Sequence, residues 1–101
     1  MEYLVRLTFR ALRDLESIYE FIQADNSNAA FAWFNDLAKT IETLERHPER
    51  GSAVAESKSH RQLLFGEKPD VYRIIYSIDK RKAFVNVLHI RHGARASLPA
   101  G

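Results

Sequence analysis

The sequence predicts an α+β domain in which one strand, a helical hairpin and three further strands share a single hydrophobic core. Three observations lead there. Apolar residues recur at three- and four-residue spacing from about residue 11 to residue 46, the period of amphipathic helices. From residue 61 onward the period shortens to two and β-branched and aromatic residues dominate. At 101 residues the chain suits one domain rather than two.

The first element, Tyr3-Leu4-Val5-Arg6-Leu7, has the residue types of a short strand. A helix follows from about Ala11 to Ala24, with Leu12, Leu15, Ile18, Tyr19 and Ile22 as its stripe and Thr8 as a candidate N-cap. Residues 24–28, ADNSN, favour turns and caps. A second helix runs from about Asn28 to Arg46, with Phe31, Phe34, Leu37, Ala38, Ile41 and Leu44 on one face. His47-Pro48 stops it, because proline disfavours helical geometry in the residue before it. Residues 52–60 read as a polar connection. Strands are then expected at Arg61–Phe65, at Val71–Ile78 and, after the turn Asp79–Lys82, at Ala83–Ile90. The order β-α-α-β-β-β gives a mostly antiparallel sheet covered on one face by the helices. Residues 1–101 form one domain, without repeats or a linker.

Composition narrows the function classes. Hydrophobic residues make up 46% and charged residues 28%, an ordinary globular balance. There is no cysteine, which removes disulfide scaffolds, thiolate metal sites and cysteine nucleophiles. No apolar run is long enough to span a bilayer and no export signal is visible, so a cytoplasmic chain without membrane contact is expected. Glycine-rich phosphate loops, HExxH and GxSxG are missing. Asp14, Glu16 and Glu20 read as a solvated helix face, and the histidines lack carboxylate partners in sequence, so neither metal nor cofactor is expected.

The charge is unevenly placed. Residues 1–49 hold five Lys/Arg against nine Asp/Glu, a balance of −4; residues 50–101 hold ten against four, a balance of +6. Such a split fits an anionic partner on the C-terminal half. The cations gather at residues 89–95, where His89, Arg91, His92 and Arg95 follow an apolar strand. Pairing Ile78 with Ala83 across the turn places Tyr72, Ile74, Tyr76, Ile78, Val85, Val87 and His89 on the core face. Arg73, Ile75, Ser77, Asn86, Leu88 and His92 then fall on the open face. Arg73 and His92 are thus expected to share an uncovered surface, and a bulge would move His89 to that side. Trp33, Phe31 and Phe34 are expected in the core rather than as stacking platforms.

Taken together, DLESIYEFIQ (14–23), AAFAWFNDLAKTIETLERHPERG (29–51), RQLLFG (61–66), VYRIIYSID (71–79) and VNVLHIRHGAR (85–95) resemble the RelE/ParE superfamily of bacterial toxins and plasmid-stabilisation proteins from type II toxin–antitoxin systems. The resemblance implies the same β-α-α-β-β-β fold and a cognate antitoxin that wraps the toxin in a hetero-oligomer. It also implies one of two activities, with mRNA cleavage the leading expectation and gyrase inhibition the alternative. RelE-like members cut ribosome-bound mRNA with basic side chains around the scissile phosphate; ParE-like members poison DNA gyrase without cleaving nucleic acid. For cleavage, the electrostatic and proton-transfer set would be Arg73, His92, Arg61 and Arg95, with Arg91, His89 and Lys58 binding substrate. Guanidiniums offer bidentate charge to phosphate, and imidazole exchanges protons near neutral pH. No tyrosine follows Tyr76, whereas many RelE-like nucleases carry one near the C-terminus.

Overall fold

The computed structural model describes residues 2–55 and 57–93. The chain runs through β1 (Leu4–Leu7), α1 (Phe9–Phe21), α2 (Asn28–Glu42), β2 (Ser52–Val54), β3 (Ser57–Phe65), β4 (Tyr72–Asp79) and β5 (Phe84–His92), with short 3₁₀ turns at Ala24–Asn26, Thr43–Glu45 and Pro48–Arg50. One five-stranded sheet has the order β1-β5-β4-β3-β2. It is mixed: β1 runs parallel to β5, and the other neighbours are antiparallel.

Each helix begins where a hydroxyl accepts from an amide that the first turn leaves unpaired. Thr8 accepts from the N–H of Ala11, and Ser27 from that of Ala30. Both helices press one stripe onto the sheet: Ala11 and Ile18 from α1, Leu37 and Ile41 from α2, all buried against Ile74, Tyr76, Val85 and Val87. Tyr19 meets Phe34 edge-on, joining the two helices. Trp33 packs edge-on against Phe65 and Tyr72, in the core as expected. Phe31 does not; it is 47% exposed.

The stretch expected to be a polar connection is instead β2 and the first half of β3. Its hairpin is irregular, with a register shift between Ala53 and Val54. Polar residues and a bulge are what an edge strand uses to discourage further pairing, so their polarity concealed the strands. Tyr76 anchors this hairpin from the middle of the sheet. Its fully buried hydroxyl donates to the Pro48 carbonyl at 2.6 Å and accepts from the Gly51 N–H at 3.0 Å. A Cβ at Gly51 would lie 2.5 Å from both that hydroxyl and the Gln62 carbonyl oxygen, so only glycine fits there.

The register of β4 against β5 decides the rest. From the turn, Asp79 pairs with Phe84, Ile78 with Val85 and Tyr76 with Val87, but the next pair is Ile75 with His89. Leu88 is the extra residue of a β-bulge, which reverses the facing of everything beyond it. Ile74 pairs with Ile90 and Tyr72 with His92 under the helices; Arg73 pairs with Arg91 on the uncovered face.

Candidate functional site

Where β1 ends at Leu7, α1 takes over the flank of β5. The Thr8 hydroxyl, besides capping α1, donates to the carbonyl of Leu88 at 2.7 Å, pinning the helix start to the bulge. Six residues on, the Asp14 carboxylate accepts from the Ile90 N–H at 2.9 Å. Asp14 is therefore a strand partner, and the expectation of a purely solvated carboxylate is corrected. Arg10, four residues before Asp14, lies on the same side of the helix.

These constraints gather Arg10, Asp14, Arg73 and Arg91 around His89. Burial is the main cause holding the His89 imidazole below its ordinary pKa of 6.5; Arg10, Arg91 and Arg73 push the same way and Asp14 opposes them. Its Nδ1 is buried without a hydrogen-bond partner among the described residues. Arg73 is steadied by its Nε donating to the Gln62 side-chain oxygen at 2.6 Å. The result is a neutral imidazole among guanidiniums, able to receive an oxyanion or to exchange a proton.

The other expected site residues disperse. His92 does not share the open face with Arg73. The bulge turns it toward the helices, where its ring stands edge-on to Tyr72 at 5.1 Å and its Nε2 lies 3.2 Å from the Asp70 carboxylate. Its side chain is 18% exposed. Asp70 thus supplies the carboxylate partner that the sequence did not reveal. Arg61 pairs with Tyr76 on the helix side, and its Nη1 donates to the carbonyls of Gly51 (2.7 Å) and Glu49 (3.3 Å). Lys58 is exposed beside the irregular β2–β3 pairing, away from His89. Arg95 lies outside the described residues. His89 and Arg91 join Arg73 as the set that the structure brings together.

Sequence reasoning missed Arg10 and Asp14. A signal existed: the first turn of α1 carries Arg10 and no acid, where the helix dipole favours negative charge. Between α1 and β5 a cleft of about 470 Å³ is bounded by Arg10, Asp14 and Phe21 on one side and Asp70, Arg91 and His92 on the other. Among the described residues no three His, Cys, Asp or Glu side chains come together as a metal site, and no helix is long and apolar enough to cross a membrane.

A small mixed sheet carrying two helices on one face is the fold of solved RelE- and ParE-type toxins. The chain superposes on the toxin–antitoxin complex RelBE2 of Mycobacterium tuberculosis with a TM-score of 0.67, at 24% identity over 91% of this chain and 99% of that one. For the chromosomal ParDE system of P. aeruginosa the TM-score is 0.70, at 16% identity over 90% and 96%. For a mutant of the E. coli toxin RelE in the free state it is 0.66, at 18% identity over 96% and 88%. At these identities the likeness establishes the fold. Sequence carries it further: toxin Y4kP of Sinorhizobium fredii, a toxin by assignment, is 31% identical over 85 residues, covering 84% of this chain and 85% of the relative. The family described as ParE toxin of type II toxin–antitoxin system, parDE, matches residues 5–97. The chain belongs to that family and is the toxin component of a type II toxin–antitoxin system.

Proposed function

We propose that the chain arrests growth in the ParE manner, by binding DNA gyrase without cutting nucleic acid, and that a cognate antitoxin holds it inactive. The observation that carries this reading is the separation of the groups that cleavage was expected to need together. Arg73 and His92 occupy opposite faces of the sheet, and Arg61 is engaged by backbone carbonyls. The match to the ParE toxin family over residues 5–97 supports the same side. An antitoxin partner is supported by the relatives solved as toxin–antitoxin complexes. An acidic antitoxin segment would meet the basic C-terminal half with complementary charge.

One observation favours the second reading, ribosome-dependent mRNA cleavage: His89 is held neutral beside three guanidiniums, as a general base near neutral pH would be. Pulse-labelling after induction separates the two. The binding reading expects DNA synthesis to fall first and an SOS response to follow while translation continues. Translation stopping first, with mRNA cut in the ribosomal A site, would reject it in favour of a nuclease centred on His89. Co-expression of a small acidic neighbouring reading frame should restore growth.

A further inference from the structure

We infer that a notch between α2 and the turn joining β3 to β4 receives an arginine side chain carried by a partner protein. Trp33 and Phe65 line the notch with rings, Glu67 and Asp70 with carboxylates. This goes beyond the proposed function: the notch lies on the helix-covered side of the sheet, opposite His89, and the inference holds whichever protein is the partner.

Local structure builds the notch at one end of the sheet. Phe65 closes β3 on the helix side, paired with Tyr72. The Trp33 ring stands 5.2 Å from that of Phe65 and 5.5 Å from that of Tyr72, inclined by 60° and 62°. The chain then turns at Gly66, whose φ of +102° favours glycine. The Asp70 N–H donates to the Glu67 carbonyl at 2.7 Å, folding residues 66–71 back on themselves. Both carboxylates thereby border the same space as the rings, about 610 Å³ in volume.

Charge is inverted here relative to its surroundings. Two of the four acids in residues 50–101 line the notch, although that half carries ten Lys/Arg, and no cation lines it among the described residues. Lys68, between the two acids in sequence, makes no ion pair with either among the described residues. Asp70 meets the His92 ring through Oδ1 alone and its side chain is 70% exposed, so the other oxygen is available.

The combination selects the ligand. Carboxylates draw a cation, and ring faces add to the attraction. A guanidinium is planar, forked and weakly hydrated, so it can lie on a ring while its edge meets a carboxylate. An ammonium is a compact, strongly hydrated charge and does neither as well. Gly66, Glu67 and Asp70 are all exposed, so the notch is open. Sites for free small molecules enclose most of their ligand. A side chain delivered on a partner's backbone needs no such enclosure, which assigns the arginine to a protein.

Trp33 is the only tryptophan in the chain, so its emission reports the notch directly. The purified chain is titrated with a blocked tripeptide holding arginine between two alanines, with its lysine and citrulline counterparts, and with tetramethylammonium. The arginine peptide should change the emission saturably in the millimolar range, the lysine peptide should bind more weakly, and the uncharged citrulline peptide should have no effect. Glu67→Gln and Asp70→Asn should each raise the half-saturation point by about two- to fivefold, as expected for exposed charge pairs. Glu16→Gln, on the exposed side of α1, should bind as the wild type does. Glu67 is exposed and Asp70→Asn keeps an oxygen for His92, so melts followed by circular dichroism should coincide and separate lost contacts from lost fold. No saturable change, an equal response to citrulline or lysine, or unchanged half-saturation in both notch variants would overturn the site. Tetramethylammonium binding more tightly than the arginine peptide would overturn a partner-borne arginine in favour of a free cation. In cells, the double variant Glu67→Gln/Asp70→Asn should lose either growth arrest or its reversal by the neighbouring reading frame. If both survive unchanged, no partner uses the notch, and the gyrase-binding reading stands without it.

Discussion

Replacing Asp14 should loosen the end of β5 that carries the whole cluster. β1 stops pairing at Val87, and beyond the bulge it is the Asp14 carboxylate that meets the Ile90 amide at 2.9 Å in a partly buried setting. Asp14→Ala leaves that N–H without its acceptor. Hydrogen bonds to charged groups contribute about 1.5–3 kcal/mol, and the partial exposure places this one near the low end, about 1.5–2 kcal/mol. For a domain of this size that is a fall in Tm of roughly 6–10 °C. Asp14→Asn keeps an acceptor oxygen at the same place and should lose under about 1 kcal/mol. Thermal melts followed by circular dichroism read both. Hydrogen exchange should locate the weakening, with the Ile90 amide exchanging faster in the alanine variant. If the alanine and asparagine variants melt together within about 0.5 kcal/mol of wild type, the carboxylate does not hold the strand and the anchoring of the site is wrong.

Tyr76→Phe removes one hydroxyl but strands two backbone groups, the Pro48 carbonyl and the Gly51 N–H, and should cost about 2–4 kcal/mol in urea unfolding; a loss below about 1 kcal/mol would mean the hairpin is held otherwise. Arg61→Ala should lower stability by about 1 kcal/mol through its lost carbonyl contacts, and toxicity should fall no further than stability explains, as a comparison of growth inhibition with melting temperature would show. The folded state holds His89 below its ordinary pKa of 6.5, so the unfolded chain takes up that proton first. The stability this histidine contributes is complete above pH 6.5 and is lost as pH falls through the lowered folded value. His89→Gln should flatten that acid arm of the stability–pH curve, and an unchanged arm would contradict the burial of the neutral imidazole.

The elements were legible because their periods were: Leu12 to Ile22 and Phe34 to Leu44 mark helices, and the alternation through Val71–Ile78 marks a half-buried strand. Thr8 was legible as a cap because a hydroxyl before a helical stripe has one common use. Two features left too weak a trace. The residues of β2 and early β3 are polar because they form an irregular edge, and polarity without periodicity reads as loop. The bulge at Leu88 is set by the meeting of β5 with Thr8 and Asp14, residues about 80 positions earlier, so no local pattern at 85–92 announces it. A single extra residue exchanges the faces of His89 and His92. That exchange moved the candidate centre from an Arg73–His92 pair to His89 with Arg73, Arg91 and Arg10.

The most direct measurement incubates the purified chain with gyrase and supercoiled DNA and counts DNA covalently held by the enzyme. Covalent complexes should accumulate with wild type and persist in His92→Ala, whose side chain faces away from the basic surface. Absence of complexes, together with A-site cuts when translating ribosomes are supplied instead, would contradict a toxin that acts by binding.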